Sequence, residues 1–127
     1  MTTSALILFA HGARDPRWAA PFEHLQRLTQ EKMADVQVRL AFLELMSPRL
    51  PEVVAELAAT GCMRLTVVPV FLGQGGHVLR DLPEIIAQLA VDYPGVAVEV
   101  VPAIGEDPAV LDAMARYCIA SMAGTTA

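Results

Sequence analysis

The feature that most constrains the fold is a repeated alternation between short apolar runs and longer amphipathic segments. The first run, residues 5–10, contains no polar residue and ends at His11. Such a run is typical of a strand buried on both faces, as in a parallel sheet. A proline interrupts the third strand near its middle and should leave one ladder hydrogen bond unmade. The three further predicted strands are 36–43, 65–72 and 96–101.

Four segments between and after the strands carry apolar residues at helical spacing. The first helix is predicted over 16–33. Ser47 and Pro48 are interpreted as the N-cap and first turn of the second, which Gly61 ends. The third covers 77–91, and Asp107–Pro108 opens the fourth. The side chains predicted to face inward are Phe22, Leu25, Leu28 and Thr29 in the first, Leu50, Val53, Val54 and Leu57 in the second, Leu82, Ile85, Ile86 and Leu89 in the third, and Leu111, Met114, Ala115 and Cys118 in the fourth.

This alternation predicts a single α/β domain over residues 1–127. The right-handed crossover rule favours an open four-stranded, mainly parallel sheet with helices on both faces. A flavodoxin-like strand order, 2-1-3-4, would place the first three strands side by side. A hydrophobic fraction of 54% and a charged fraction of 18% are consistent with one sizeable core.

Charge and cysteine content restrict the function classes. The formal net charge of −5 argues against a general nucleic-acid binder, which should present a basic surface. Cys62 and Cys118 show neither a CxxC spacing nor the density of a disulfide scaffold, so both are interpreted as reduced thiols. The apolar run at 5–10 is too short to span a bilayer. We therefore expect a cytoplasmic protein with no membrane partner.

Three metal-capable side chains follow separate predicted strands. His11 comes directly after the first strand, Glu44 just past the second, and His77 five residues after the third. In open parallel sheets, ligands bind beyond the carboxyl ends of the strands. Two imidazoles and one carboxylate could hold Co²⁺, Ni²⁺, Fe²⁺ or Zn²⁺ and still leave coordination positions vacant. Taken alone, each histidine is more often an ordinary loop residue, and Glu44 could equally be a surface side chain.

Glycines and arginines near the same edge suggest binding of an anionic ligand. The glycine-rich link at 73–76 is either a flexible connection or, through Gly75 and Gly76, an anion cradle at the N-terminus of the third helix. It lacks the lysine of a P-loop, and no G-x-G-x-x-G follows the first strand, so a nucleotide site is weakly supported. The arginines that could pair with substrate carboxylates are Arg14, Arg17, Arg49 and Arg80.

Three segments, in this order along the chain, resemble one known family. They read HGARDPR at 11–17, FLELMSP at 42–48 and VPVFLGQGGHVLRDLP at 68–83. Together they are similar to the sirohydrochlorin cobaltochelatases of CbiX type, in their small, single-domain form, which are class II chelatases related to sirohydrochlorin ferrochelatase. The third segment is the most specific of the three.

The resemblance implies a chelatase-like fold with His11 and His77 as catalytic residues and His11, Glu44 and His77 as metal ligands. It also implies a homodimer, because in the small form two protomers replace the two halves of longer enzymes. Ala13 departs from the family pattern, which often has serine there, and this removes a hydroxyl near the site.

The expected function is insertion of a divalent metal into sirohydrochlorin, as in cobalamin or siroheme biosynthesis. Cobalt is the expected metal, with nickel or iron as alternatives, and no organic cofactor is expected. Because metallation displaces two pyrrole protons, one histidine could bind metal and also accept a proton. A non-catalytic metal carrier using the same ligands is the alternative. A small phosphate- or flavin-binding domain is a third interpretation, based on the glycine run alone.

Overall fold

The computed structural model describes residues 4–73 and 75–122, apart from the side chains of residues 76, 77 and 79. Its regular elements alternate between strand and helix along the chain, with two short 3-10 helices added. The strands are β1 (Ser4–Ala10), β2 (Gln37–Phe42), β3 (Arg64–Pro69) and β4 (Ala97–Val100). The α-helices are α1 (Ala20–Lys32), α2 (Leu50–Ala59), α3 (Gly76–Asp92) and α4 (Pro108–Met122). The 3-10 helices are Pro16–Ala19 and Ile104–Glu106.

The four strands form one parallel sheet in the order β2-β1-β3-β4. Both the parallel pairing and the predicted strand order are confirmed. Because β1 is central and pairs with β2 and β3, the ends of these three strands lie together at one edge of the sheet. Pro69 is the last residue of β3 rather than a mid-strand interruption, and the next residue, Val70, still donates its amide to the Phe9 carbonyl at 2.8 Å.

Alternate residues of β1 point into two separate cores. Ile7 and Phe9 belong to the larger core, which α2 and α3 cover. Leu8 and Ala10 belong to the smaller core, which α1 covers together with Trp18. This two-sided burial explains the unbroken apolar run. The predicted inward side chains of α2 and α3 are confirmed as part of the larger core, fully or partly buried.

The start of α2 differs from the prediction. Ser47 is not the N-cap, since the helix begins at Leu50 with Arg49 as the capping residue. Phe42 and Arg49 form an isolated parallel bridge, and the Phe42 amide donates to the carbonyl of Pro48 at 2.9 Å. This pairing holds the preceding residues in a loop, so the helix starts later. The backbone amide of Arg49 donates to the Glu52 carboxylate at 2.6 Å and closes the first turn.

The inner face of α1 is partly polar, and the prediction for Leu28 is wrong. Leu28 is 43% exposed, while Gln26 and Gln30 are half-buried. The Gln26 amide donates to the Val38 carbonyl, and the Gln30 carbonyl accepts from the Val38 amide, at 2.9 and 2.8 Å. Because β2 is an edge strand, its outward backbone groups need partners, and the glutamines supply them.

The predicted inward residues of α4 are also placed differently. Leu111, Met114 and Cys118 are exposed, as is Ala115, and no residue of this helix is fully buried. Within the part of the chain that the structure describes, α4 packs mainly on the second 3-10 helix. Asp107 alone separates the two helices, so their connection sets the direction in which α4 leaves the sheet.

Candidate functional site

The ring of His11 stands at the carboxyl end of β1 and packs against an aromatic neighbour. It is half-buried, and its centroid lies 4.3 Å from that of Phe71, with the ring planes tilted by 38°. Phe71 is itself buried and also contacts Phe9 edge-on at 6.0 Å. Ring packing of this kind restricts the imidazole orientation. The sequence reasoning missed Phe71, although its position two residues after β3 was a usable signal.

Gly12 makes the close approach of two loops possible. Its φ of +102° lies in the left-handed region, where side chains are rarely tolerated. A Cβ atom at this position would overlap the carbonyl oxygen of Glu44. The loop after β2 can therefore lie directly against the loop after β1 only if position 12 is glycine.

Backbone hydrogen bonds continue the β1–β2 ladder past the ends of both strands. The Leu43 amide donates to the Ala10 carbonyl at 2.8 Å, and the Glu44 amide donates to the His11 carbonyl at 3.0 Å. Two of the three predicted metal ligands are thus on adjacent, hydrogen-bonded backbone segments. This part of the predicted site is brought together in the fold.

A groove of about 360 Å³ lies beside Glu44. On one side the groove is lined by residues of α3 that are three or four positions apart and so share one face of the helix, and two of them are acidic. The sequence reasoning missed Asp81 and Glu84, although their spacing of three on a helix that follows the glycine-rich link was visible. The lining residues are Leu43, Glu44, Arg49, Asp81, Glu84, Ile85 and Gln88. The groove thus carries three carboxylates and one guanidinium.

His77 is the second residue of α3, and its side chain lies outside the described residues. Helical periodicity places position 77 one turn before Asp81, on the same side of the helix. The following residue, Val78, is buried in the larger core and anchors this first turn. Among the side chains that the structure describes, no three His, Cys, Asp or Glu groups could hold one ion. The three-ligand site therefore depends on His77 and stays a prediction.

The predicted substrate-binding arginines differ in their present partners. Arg14 is exposed, and Arg80 is 70% exposed with its Nε 3.9 Å from Asp81. Arg17 instead forms a fork with the Asp15 carboxylate, with Nη2 2.7 Å from Oδ2. Hydrogen bonding from Arg17 lowers the pKa of Asp15, and the carboxylate raises the pKa of Arg17. Arg17 stays charged and highly exposed, and its exposed ion pair with Asp15 is weak enough to be exchanged for another carboxylate.

Gly75 caps the N-terminus of α3 in an extended conformation, and a Cβ there would meet no other atom within 4 Å. The prediction that Gly75 helps to bind an anion is therefore based on its place at an exposed helix N-terminus, because the space around it would also admit a side chain. Gly76, the other predicted substrate-binding glycine, is the first residue of the same helix, and Gln74 before them lies outside the described residues.

The cysteines take no part in this site. Cys62 is buried in the larger core and Cys118 is exposed on α4, and neither forms a disulfide. The predicted donor set at the sheet edge, His11, Glu44 and His77, therefore contains nitrogen and oxygen and no thiolate. Over residues 4–73 and 75–122, none of the helices has the length and apolar character needed to cross a membrane.

Comparison with known proteins gives consistent matches. The chain is 33% identical over 82 residues to the sirohydrochlorin cobaltochelatase of Methanosarcina acetivorans, and the match covers 65% of this chain and 63% of that protein. The chain thus aligns with less than two thirds of the relative's length.

Two solved structures share the fold. A CbiX protein from Marinobacter aquaeolei VT8 has a TM-score of 0.86 and 31% identity, over 96% of this chain and 99% of that chain. The cobalt complex of the sirohydrochlorin chelatase SirB from Bacillus subtilis subspecies spizizenii has a TM-score of 0.77 and 26% identity, over 89% of this chain and 48% of that chain. The family model of CbiX matches residues 5–119, nearly the whole described chain. The chain therefore belongs to the CbiX family.

Proposed function

We propose that this protein is a sirohydrochlorin cobaltochelatase, which inserts Co²⁺ into sirohydrochlorin. The observation that carries the proposal is the hydrogen-bonded pairing of the His11 and Glu44 backbones at the carboxyl edge of the sheet, where Glu44 lines one groove with Asp81 and Glu84 of α3. Membership of the CbiX family and the name of the Methanosarcina acetivorans relative support the choice of reaction. The cobalt complex of SirB supports the choice of metal.

The reaction exchanges one metal ion for two protons. Co²⁺ leaves its protein ligands and forms bonds to four ring nitrogens, while the two pyrrole N–H groups release H⁺. A neutral imidazole binds metal through the nitrogen lone pair that otherwise accepts a proton. Once the ion has passed to the ring, the same nitrogen of His11 or His77 is free to take up a pyrrole proton. Glu44 would help to hold the incoming cation.

Binding of the polycarboxylate substrate would use the cations at this edge. Arg14, Arg17 and Arg80 are all exposed and would make the first contacts with the ring carboxylates, with Arg17 exchanging its present partner Asp15 for the substrate. The N-terminus of α3 at Gly75 and Gly76 would add backbone donors. A cleft that favours a bent macrocycle would expose the pyrrole lone pairs to the ion.

The proposal includes a cytoplasmic homodimer that needs no organic cofactor. This chain corresponds to 48% of the SirB chain, so a second copy would occupy the place of the missing half. Burial of the macrocycle needs a second wall, because the groove beside Glu44 lies on the surface of one protomer.

The test is metal-dependent turnover, followed by the visible absorption of sirohydrochlorin mixed with Co²⁺ and protein. His11→Ala and His77→Ala should each lower kcat/KM at least a hundredfold, since a metal ligand and proton acceptor is lost. His24→Ala is the matched control, because His24 is exposed on α1 and should leave the rate unchanged. Wild-type turnover no faster than the uncatalysed reaction would overturn the proposal.

A titration with sirohydrochlorin in the absence of metal separates the chelatase from a metal carrier. The chelatase should shift the absorption spectrum of the bound ring, whereas a carrier should bind Co²⁺ through His11 and leave the spectrum of sirohydrochlorin unchanged. Glu44→Gln should weaken Co²⁺ binding without preventing the spectral shift of the macrocycle.

A further inference from the structure

The imidazole of His11 is oriented by ring packing. Its centroid lies 4.3 Å from that of Phe71, and the two ring planes are tilted by 38°. A histidine that binds metal is usually oriented by a hydrogen bond from its second ring nitrogen to a carboxylate or carbonyl oxygen. Among the groups that the structure describes, none forms a hydrogen bond with the His11 ring. The Phe71 ring is therefore the neighbour that restricts rotation of this imidazole.

The Phe71 ring is itself held in the larger core. It is buried, and it contacts the fully buried Phe9 edge-on, with the centroids 6.0 Å apart and the planes at 65°. Positions 9 and 11 are two residues apart on an extended backbone, so their side chains point to the same face of the sheet. Phe71 thus packs across both side chains at the end of β1, with Phe9 as its rigid support.

The backbone of Phe71 is held from both sides. The amide of the preceding residue, Val70, donates to the Phe9 carbonyl of β1 at 2.8 Å. The Phe71 carbonyl accepts a hydrogen bond of 2.8 Å from the amide of Gly105, in the second 3-10 helix. A Cβ atom on Gly105 would overlap the backbone of Leu72. The 3-10 helix can therefore lie against the loop after β3 only if position 105 is glycine.

The second 3-10 helix is a fixed support for this contact. The Val101 amide donates to the Val67 carbonyl at 3.1 Å and extends the β3–β4 ladder toward the helix. Ala103 is buried in the larger core, and its carbonyl accepts from the Glu106 amide at 2.9 Å. The Gly105 amide is consequently a donor whose place is set by the sheet and the core.

We propose that Phe71 and Gly105 are positioning residues for His11. Gly105 holds the backbone of Phe71, and the Phe71 ring holds the imidazole in the orientation in which it receives the metal. The inference rests on the proposed function, in which His11 binds the incoming Co²⁺, and it extends that site to a residue of the loop after β4. Neither side chain has an atom that can bind metal, so both act only through His11.

The size of the expected effect follows from the precision that metal binding requires. A metal ligand has to be held within about 0.5 Å and about 10–20° of its productive geometry. An imidazole without a packed neighbour can occupy several rotamers and spends only part of its time in one of them. Loss of a residue that orients a metal-binding histidine typically lowers metal affinity or activity by about 10–100-fold.

The first test is a Co²⁺ titration of the whole protein without sirohydrochlorin, followed by the visible absorption of the bound ion. Phe71→Leu should raise the Kd for Co²⁺ about tenfold or more and alter the absorption bands, which report ligand geometry. Phe22→Leu is the matched control, because Phe22 packs on Trp18 with nearly the same geometry, 4.5 Å and 37°, in the smaller core. The control should leave both readouts unchanged. An unchanged Kd and spectrum in Phe71→Leu would overturn the proposal.

The second test asks whether Gly105 acts through Phe71. Gly105→Ala should also raise the Kd for Co²⁺, whereas Gly95→Ala, where a Cβ meets nothing within 4 Å, should not. If the two residues form one chain of contacts, Gly105→Ala combined with Phe71→Leu should bind Co²⁺ about as well as Phe71→Leu alone. Fully multiplicative effects on Kd would remove Gly105 from the proposal. Circular dichroism checks the fold of each variant, and Phe71→Leu decides the proposal by itself if Gly105→Ala does not fold.

Turnover separates this inference from the proposed function. Phe71→Leu should lower kcat and leave the KM for sirohydrochlorin nearly constant, because the metal ligand is disturbed and the substrate arginines are not. Weaker Co²⁺ binding in Phe71→Leu, in a protein whose wild type shows no turnover, would contradict the proposed function only. Active wild type, with kcat and Co²⁺ affinity both unchanged in Phe71→Leu, would contradict the positioning role only.

Discussion

At the scale of single residues, the site depends on how closely two backbones can approach. Gly12 has no side chain and a positive φ, so the Glu44 carbonyl can occupy the space that a Cβ would fill. The His11 ring then packs on Phe71 from the third strand. The predicted ligands His11 and Glu44 are thus positioned by Gly12 and Phe71, whose side chains cannot bind metal.

Gly12→Ala should destabilise the protein by about 2–4 kcal/mol, because it combines an unfavourable φ with overlap on the Glu44 backbone. Chemical denaturation followed by circular dichroism measures this change. Gly95→Ala is the control, since a Cβ at Gly95 meets nothing within 4 Å. Equal effects of the two substitutions would show that the close approach to Glu44 is not a constraint.

The pKa of Asp15 should respond to its arginine partner. Hydrogen bonding from Arg17 lowers that pKa, so Arg17→Ala should return it toward the ordinary aspartate value. The pair's contribution to stability is present above the unfolded-state pKa and is lost as pH falls through the lowered folded-state pKa. Carboxyl chemical shifts in an NMR pH titration measure the change, with Arg14→Ala as the control that leaves Asp15 unchanged.

At the scale of elements, apolar patterning predicts burial well where each element covers its own sheet. The run at 5–10 became the central strand, and the stripe Leu50, Val53, Val54 and Leu57 is buried. Patterning did not reveal that Gln30 faces the sheet, because a glutamine is recognised as an edge-strand partner only once that edge is known. Patterning also predicted that Leu111 and Met114 are buried, whereas both are exposed in this chain.

Gln30→Ala should lower the free energy of unfolding by about 1–3 kcal/mol. The side chain donates to the carbonyls of Met33 and Val36 and accepts from the amide of Val38, so its loss leaves three backbone groups without these partners. Denaturation midpoints of the variant and the wild type give the difference. Glu31→Ala, at the next and exposed position of α1, should have an effect within about 0.5 kcal/mol; a similar loss there would remove the special role of Gln30.

At the scale of the whole molecule, the strand order brings the predicted site residues to the carboxyl edge of the sheet. The strand order was predictable because parallel crossovers permit few alternatives, and three separate sequence segments therefore converge on one edge. That His77 reaches the same edge was predicted in the same way, and its role as a ligand stays a prediction because its side chain lies outside the described residues. The exposure of α4 could not be predicted from sequence, because an apolar helix has the same pattern whether or not its own chain covers it.

The net charge of −5 makes substrate binding dependent on local cations. Arg14→Ala should raise the KM for sirohydrochlorin several-fold in low salt, and by much less in 0.5 M salt, where the screening length is about 4 Å. Arg64→Ala changes the net charge equally but lies at the start of β3, on the opposite edge, and should leave KM nearly constant. Steady-state kinetics at two ionic strengths make the comparison; equal responses would mean that only total charge matters.

The side chains of Gln26 and Gln30 occupy outward backbone groups of β2 and so affect how copies of this chain meet. A bare outer strand invites a neighbouring molecule to extend the sheet, and repetition of that contact gives fibres. With Val38 already engaged, growth from this side is obstructed. The edge of the sheet at β2 is therefore protected against the open-ended strand pairing that leads to aggregation.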